Sequence, residues 1–439
     1  MQKLDVTFGY HNWQHAINFV HTHGPFVKSI KFESTWLHTT NRCNSTYAIQ
    51  NILQHTPNVE KLDFLYCAIN ITSFVNDDIT PIDLKKLKHL SLTCENALID
   101  IVIAILHKCT TLRTLTASFD KKPIRLFQSF MCQQHQLQEL ELLCSSDAIF
   151  DLVWPEDNLD RIYFELKKFT LHAETRYHHN FLKFFKQQSN YIKHLQFIGH
   201  NVDFRYYLVL FDKFKNLETL KMPIDNFMSD RRAIEIQKYQ NPNLKSIELY
   251  GSNKDVSTFK SIINIFPNLK HIIVDNLICF CLHDILSNLI HLEIIQVEIF
   301  NPTTMLNAKC PNLKLLEIDF LYPMSSDFIW KNITENCPNI ETIIINDVKK
   351  FDLAASTDKE IHILLENLTR LKKLLFCSIE CEPSIDFDFH RDNFPPYKFI
   401  LDINSKSMEC SHNIIQKFTN ELDVLKRVFD IHTISEVLR

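Results

Sequence analysis

Apolar residues in this chain recur in one local order, apolar-x-x-apolar-x-apolar, shown most fully by CPNLKLLEIDF over Cys310–Phe320. Close copies begin at Thr56 (TPNVEKLDF), Asn241 (NPNLKSIEL), Phe266 (FPNLKHIIV) and Cys337 (CPNIETIII). The first apolar residue of each copy is Val27, Val59, Leu87, Leu112, Leu137, Leu166, Ile192, Leu217, Leu244, Leu269, Leu292, Leu313, Ile340 and Leu371, with a degraded copy at Tyr397. The last three positions alternate as in a strand. Between copies lie stretches with helical spacing, such as AIQNILQH, IDIVIAILHK, IRLFQSFMCQQ and FLKFFKQQ. Each unit therefore predicts one short strand and one helix of two to three turns. The chain opens in the same way: LDVTF alternates, and NWQHAINFVHTHG carries Trp13, Ala16, Ile17 and Val20 on one helical face between a capping Asn12 and a terminating Gly24.

The spacing decides the architecture. Residues 27 to 397 span 370 positions over 14 intervals, with gaps of 21 to 32 and a mean of about 26, which is the leucine-rich-repeat period. The expected fold is an α/β leucine-rich-repeat solenoid, a horseshoe with a parallel concave sheet and convex helices. Strands lie about 4.8 Å apart and helices are about 10 Å wide, so stacking curves the array with strands inside and gives an inner arc of about 70 Å. We expect one solenoid of 14–15 repeats over residues 1–403, because no unit buries its apolar face without neighbours. The pattern loosens at 147–165, around Trp154, Pro155 and Asp157, and again after 377. There IDFDFH reads as a strand, and Pro395 and Pro396 block a helix. Residues 404–439 carry Ile414, Ile415, Phe418, Leu422, Leu425 and Phe429 on one face and predict a capping helix. A partner-binding helix is the other reading of that segment.

In each copy the first, fourth and sixth positions point to the core, leaving the third, fifth and seventh on the sheet's free face. Over the first half that face is polar: Lys61, Asp63, His89, Ser91, Thr114, Thr116, Glu139, Glu141, Lys168, Thr170, His194 and Gln196. Over the second half apolar residues occupy it, namely Ile273, Ile294, Leu315, Ile344 and Leu375, beside Asp275, Glu298, Glu317 and Asp319. An apolar run rimmed by charge is the pattern of a partner-binding surface. Two other readings are open from sequence: cover by the C-terminal tail, or plain strand propensity.

Composition removes several function classes. With 47 basic and 52 acidic residues interleaved, the net charge of -5 gives no nucleic-acid footprint for the chain as a whole. Four glycines, Gly9, Gly24, Gly199 and Gly251, supply no phosphate-binding loop. Thirteen cysteines, an odd number, and no charged-then-apolar leader in MQKLDVTFGYHNWQHAI predict free thiols in a reducing, cytoplasmic or nuclear setting. Cys109, Cys310 and Cys337 fall at helix ends, where a small apolar side chain packs. The pairs Cys279/Cys281 and Cys377/Cys381 lack a second pair at zinc-module spacing, so no metal or other cofactor is expected.

Sequons at Asn44, Asn70, Asn332 and Asn367 read as accidental, and no run approaches the length of a membrane helix. Asn201, Asn226, Asn253 and Asn301 follow the strands by four positions, as ladder or turn asparagines. His178 and His179 are expected in a loop, and His89, His194 and His271 stand singly on the free face. Neither a nucleophile elbow nor an HExxH helix is present, so the chain is expected to be a monomeric binding protein and not an enzyme.

The Cys-Pro-Asn starts, the helix lengths and the period resemble the leucine-rich region of F-box leucine-rich-repeat proteins, over about residues 1 to 400. Other intracellular repeats of the ribonuclease-inhibitor kind share much of this pattern. The resemblance implies recognition of a protein substrate for a cullin ubiquitin ligase. LDVTFGYHNWQHAINFVHTHGPFVKSIKF is similar to the stretch after an F-box, and no F-box module is read ahead of it. Adaptor and cullin are thus expected as partners only through an upstream F-box. The alternative is a free-standing scaffold or inhibitor.

Overall fold

The computed structural model describes residues 4–8, 13–33, 42–65, 79–94, 96–119, 125–144, 161–172, 179–199, 202–224, 236, 238–250, 261–277, 289–299, 309–320, 324–346, 351–352, 370, 373–377, 398–402 and 407–409. The chain divides into two compact units, Met1–Asn226 and Phe227–Arg439.

In the first unit the order is β1 (Leu4–Phe8), α1 (Trp13–His23), a 3-10 turn (Gly24–Phe26), β2 (Val27–Glu33), α2 (Arg42–His55), β3 (Lys61–Leu65), β4 (His89–Thr93), α3 (Asn96–Ile105), β5 (Thr114–Phe119), α4 (Arg125–Cys132), β6 (Glu139–Cys144), β7 (Lys168–His172), α5 (His179–Gln188), β8 (His194–Ile198), α6 (Phe204–Lys213) and β9 (Thr219–Pro223). Each strand pairs in parallel with the next. The register is the repeat itself. Ile30, Leu62, Leu90, Leu115, Leu140, Phe169, Leu195 and Leu220 stand side by side across the sheet. All eight are buried.

Helices cover the face to which these residues point. In α5, Phe181, Phe184, Phe185 and Gln188 are buried at i, i+3, i+4 and i+7. Their rings meet sheet residues, with Phe169–Phe181 at 6.0 Å and Phe185–Phe197 at 5.7 Å between centroids. Next along, α6 adds Tyr206 and Tyr207, and the Tyr207 hydroxyl donates to the Pro223 carbonyl at 2.9 Å, so a large buried phenol keeps its polar end satisfied. Asp203 caps α6 by accepting from the Arg205 backbone N–H at 2.9 Å. His179, expected in a loop, is the first residue of α5, because the helix starts two residues, about half a turn, ahead of FLKFFKQQ. Gly24 is required where α1 ends: a Cβ there would lie 1.9 Å from the His55 carbonyl oxygen.

The second unit comprises β10 (Ser246–Tyr250), β11 (His271–Leu277), β12 (Ile294–Ile299), β13 (Leu315–Phe320), β14 (Met324–Ser325), α7 (Ser326–Asn336), β15 (Thr342–Asn346), β16 (Phe351–Asp352), β17 (Lys373–Cys377), β18 (Lys398–Asp402) and β19 (Ser407–Glu409). Strands β10, β11, β12, β13, β15 and β17 form a parallel run, again with the repeat as register, and β14 pairs with β16 separately. Strand β18 then pairs antiparallel to β17, and β19 antiparallel to β18. The copy read at Tyr397 is therefore not a further parallel repeat. A parallel strand needs a crossover, usually a helix, whereas an antiparallel one does not, and the two prolines at 395–396 disfavour a helix just there. The loosened 147–165 segment is described only from residue 161, and the expected capping helix from 410 onward lies outside the described residues, as do Asn201, Asn226, Asn253 and Asn301.

Both units have the α/β architecture of a leucine-rich-repeat solenoid. All thirteen first-apolar residues from Val27 to Ile340 are buried. Except for Tyr163, which is exposed, the residue three places earlier is buried in every described copy, a column holding Gly24, Thr56, Leu84, Cys109, Gln134, Ser189, Phe214, Asn241, Phe266, Leu289, Cys310 and Cys337. The tripeptide that follows it closes a β-turn. The N–H of Leu313 donates to the Cys310 carbonyl at 3.1 Å and that of Ile340 to Cys337 at 3.2 Å, with proline and asparagine in the two central places.

The turn asparagine then reaches the preceding repeat. Side-chain Nδ2 of Asn58 donates to the Pro25 carbonyl at 2.8 Å, Asn216 to Asn190 at 2.7 Å, Asn268 to Pro242 at 3.0 Å and Asn339 to Pro311 at 2.7 Å, and Asn312 donates to Ile290. Each bond joins the same two repeat positions. The recurring Pro-Asn is thus a repeat-to-repeat tie, and Cys109, Cys310 and Cys337 are packing residues beside it.

Candidate partner-binding site

The sheet face away from the helices carries the third, fifth and seventh positions of each strand. In the first unit it is polar, as expected. Lys31 pairs with Glu33 at 2.9 Å and Lys61 with Asp63 at 2.9 Å along their own strands. Glu141 accepts from His172 Nε2 at 2.9 Å and from the Thr116 hydroxyl at 3.2 Å. These bonds, His172 first, hold its carboxyl below the usual range. His194 is hydrogen-bonded through Nδ1 to the Thr219 hydroxyl at 2.9 Å, so neither it nor His172 stands alone. Thr170 departs from expectation: it is 4% exposed although it occupies a free-face position. The register sets this short side chain between the longer Glu141 and Gln196, with His172 two residues along the same strand, and it lies beneath them.

The second unit presents the apolar surface. Ile273, Ile294, Leu315 and Ile344 are each partly exposed. The register turns a scattered sequence pattern into a band. Ile294 stands directly opposite Leu315. Ile273 is opposite Gln296, and hence diagonal to Ile294, while Ile344 is opposite Glu317 and diagonal to Leu315. Diagonal neighbours on one sheet face lie within reach of branched side chains. Leu375 is in register with Ile344 and extends the row by position, its side chain lying outside the described ones.

Beside this band, on the two central strands, Gln296 Nε2 donates to Glu317 Oε2. The register also sets Glu298 opposite Asp319, next to Glu317 on the same sheet. Asp275 does not join them, because the β11–β12 register shifts between Val274 and Leu277. What the structure brings together is therefore Ile273, Ile294, Leu315 and Ile344 around a Gln296–Glu317 bond, with the Glu298 and Asp319 backbones in one row. Sequence reading missed Gln296. The signal was present, since Gln296 holds the fifth position of its copy.

No family model matches the chain, and no curated protein matches its sequence. Among solved structures it is similar to a chain of the crystal structure of the Rad7 and Elc1 complex in yeast, with a TM-score of 0.37 and 12% identity, covering 82% of this chain and 87% of that one. At that level the fold assignment rests on the strand register and buried repeat positions described above.

Other chemistry is sparse among the described residues. No group of three or more histidine, cysteine or acidic side chains is placed to hold a metal ion. None of the described helices is long and apolar enough to cross a membrane. Asn332, one of the four sequons, is 7% exposed within α7, which leaves its side chain no room for a glycan.

Proposed function

We propose that the protein is a non-catalytic binding module whose second-unit sheet captures a partner protein, with the Ile273–Ile294–Leu315–Ile344 band as the anchoring surface. The observation that carries this reading is the band's continuity: four branched side chains, each short of burial, made neighbours by register rather than by sequence. Isolated exposed apolar residues are ordinary, whereas a contiguous run beside carboxylates supplies desolvation together with selection for a basic, apolar segment. Substrate recognition for a cullin ubiquitin ligase is the specific role favoured by the F-box leucine-rich-repeat resemblance. A free-standing scaffold is the alternative that needs no ligase.

Replacing Ile273, Ile294 and Ile344 together by lysine tests the surface. These side chains are only partly buried, so circular dichroism should show the parent fold. Partners recovered with the tagged parent and identified by mass spectrometry should be lost from the variant. Unchanged recovery from a folded variant would overturn the site. Adaptor and cullin among the recovered proteins would favour the ligase role, and their absence beside a reproducible partner would favour the scaffold.

A further inference from the structure

The residue that follows the first apolar position forms a column of its own at the start of each strand. In the first unit the column runs Lys28, Glu60, Lys88, Arg113, Gln138, Lys167, Lys193, Glu218. Its members are stacked by backbone bonds from one to the next: Glu60 N–H to Lys28 at 2.8 Å, Lys88 to Glu60 at 2.9 Å, Arg113 to Lys88 at 2.8 Å, Gln138 to Arg113 at 2.9 Å, Lys167 to Gln138 at 2.7 Å, Lys193 to Lys167 at 2.9 Å and Glu218 to Lys193 at 2.8 Å.

Where the column alternates in sign, it closes on itself. Glu60 sits between Lys28 at 3.1 Å and Lys88 at 3.4 Å, and Glu218 pairs with Lys193 at 3.1 Å. The second unit repeats the device, with Glu293 between Lys270 and Lys314, both at 2.8 Å. Between Lys88 and Lys193 the alternation fails. Arg113 and Lys167 are exposed, have no ion pair among the described residues, and have a neutral Gln138 between them. Exposed Lys85, Lys86 and Lys108 add positive charge near the Lys88 end, with exposed Asp83 beside them, and exposed Glu139 and Glu165 adjoin Gln138 and Lys167 along the chain.

We propose that this strip, from Lys88 to Lys193, is a second docking surface, distinct from the apolar band, and that its occupant is an acidic protein segment in polyproline II conformation. Charge complementarity sets the sign, since two adjacent breaks in a ladder that elsewhere neutralises itself leave cations for an external carboxylate. Spacing sets the conformation. Arg113 and Lys167 lie two strands apart, about 9.6 Å at the usual strand separation. A polyproline II helix presents every third side chain on one face at about 9.3 Å. Carboxylates at i and i+3 would meet the two cations in step, with the Gln138 amide available to the segment's backbone between them. An extended β peptide turns i and i+3 to opposite faces and does not fit. A nucleic-acid strand is disfavoured by Glu139 and Glu165, which adjoin Gln138 and Lys167 along a short strip, and by a chain that is acidic overall.

The test uses the full chain and fluorescein-labelled peptides measured by anisotropy. One peptide repeats Glu-Pro-Pro; a second has the same composition with its glutamates in one block. The Glu-Pro-Pro peptide should bind with micromolar affinity, weakening with added salt, and the block peptide about tenfold less tightly, a difference of about 1.4 kcal/mol. Arg113→Glu with Lys167→Glu should abolish binding, Arg113→Gln with Lys167→Gln should weaken it about tenfold, and Arg113→Lys with Lys167→Arg should retain it. Circular dichroism of each variant guards against misfolding. The lysine variant of the apolar band should bind the peptide normally, which separates this surface from that one. Equal binding of the two peptides, indifference to the charge reversal, or tighter binding of a short single-stranded oligonucleotide would each overturn the proposal.

Discussion

Asn268→Ala is the perturbation that best tests how the repeats are tied. The Asn268 side chain donates one neutral hydrogen bond to the Pro242 carbonyl at 3.0 Å, and it occupies the turn closed by Leu269 N–H to the Phe266 carbonyl at 3.3 Å. Alanine removes the bond and leaves the turn without its preferred residue. The site is exposed, so water can take over the abandoned carbonyl, and the cost falls in the lower half of the usual range for a lost hydrogen bond, about 0.5–1 kcal/mol. Asn268→Asp keeps the shape but sets a carboxylate against the same carbonyl, and should cost more than alanine. The neighbouring Leu269 is fully buried, so Leu269→Ala should cost about 2–5 kcal/mol from lost transfer energy and the residual cavity.

Urea unfolding followed by circular dichroism supplies the comparison. It is read on the transition of the second unit, because a two-unit chain need not unfold in one step. The expected order of destabilisation is Leu269→Ala, then Asn268→Asp, then Asn268→Ala, with the parent slope retained. If Asn268→Ala and Asn268→Asp both leave the midpoint unchanged, the tie contributes nothing. If Asn268→Ala matches Leu269→Ala, the asparagine belongs to the core and the turn account is wrong.

Leu316 lies between Ile295 and Ile343 in register and is fully buried, so Leu316→Asp should cost several kcal/mol for an unpaired buried carboxylate and abolish the cooperative transition of the second unit. Retained cooperativity would contradict the core assignment. Hydrogen bonds from Lys270, then Lys314, depress the Glu293 carboxyl to about 2. A depressed carboxyl stabilises the fold above its unfolded value near 4.3 and loses that contribution as pH falls toward 2. Glu293→Gln should therefore flatten the acid limb of stability between those limits, by a small amount that shrinks further with salt because the pair is partly solvated; a larger effect at high salt would refute the ion-pair account. Burial pushes the Cys109 thiol up to about 11, so alkylation at pH 8 should modify it only after unfolding. Modification at the rate of an exposed thiol would show that the site opens.

The sequence by itself determined the periodic features. A buried first, fourth and sixth position can be read from any single copy, because strand alternation assigns faces without knowing the neighbours, and every described one of these positions is buried. Free-face residues were legible for the same reason, apart from Thr170, whose burial depends on the lengths of the side chains stacked beside it. Helix positions followed from spacing too, with His179 displaced only at a boundary.

Tertiary structure decided whatever depends on register between repeats. The repeat-to-repeat bonds of Asn58, Asn216, Asn268, Asn312 and Asn339 depend on the turn before each strand projecting toward the preceding repeat, while the asparagines expected after the strands lie outside the described residues. Ile273, Ile294, Leu315 and Ile344 are 21 to 29 residues apart in sequence, and only parallel pairing makes them neighbours, while the β11–β12 register shift removes Asp275 from their company. The unbalanced cations Arg113 and Lys167 are hidden in a composition that is slightly acidic over the whole chain. Charge is summed along a sequence but acts through space, and stacking places residues 25 or more apart within about 5 Å of strand spacing, where their signs either cancel or remain.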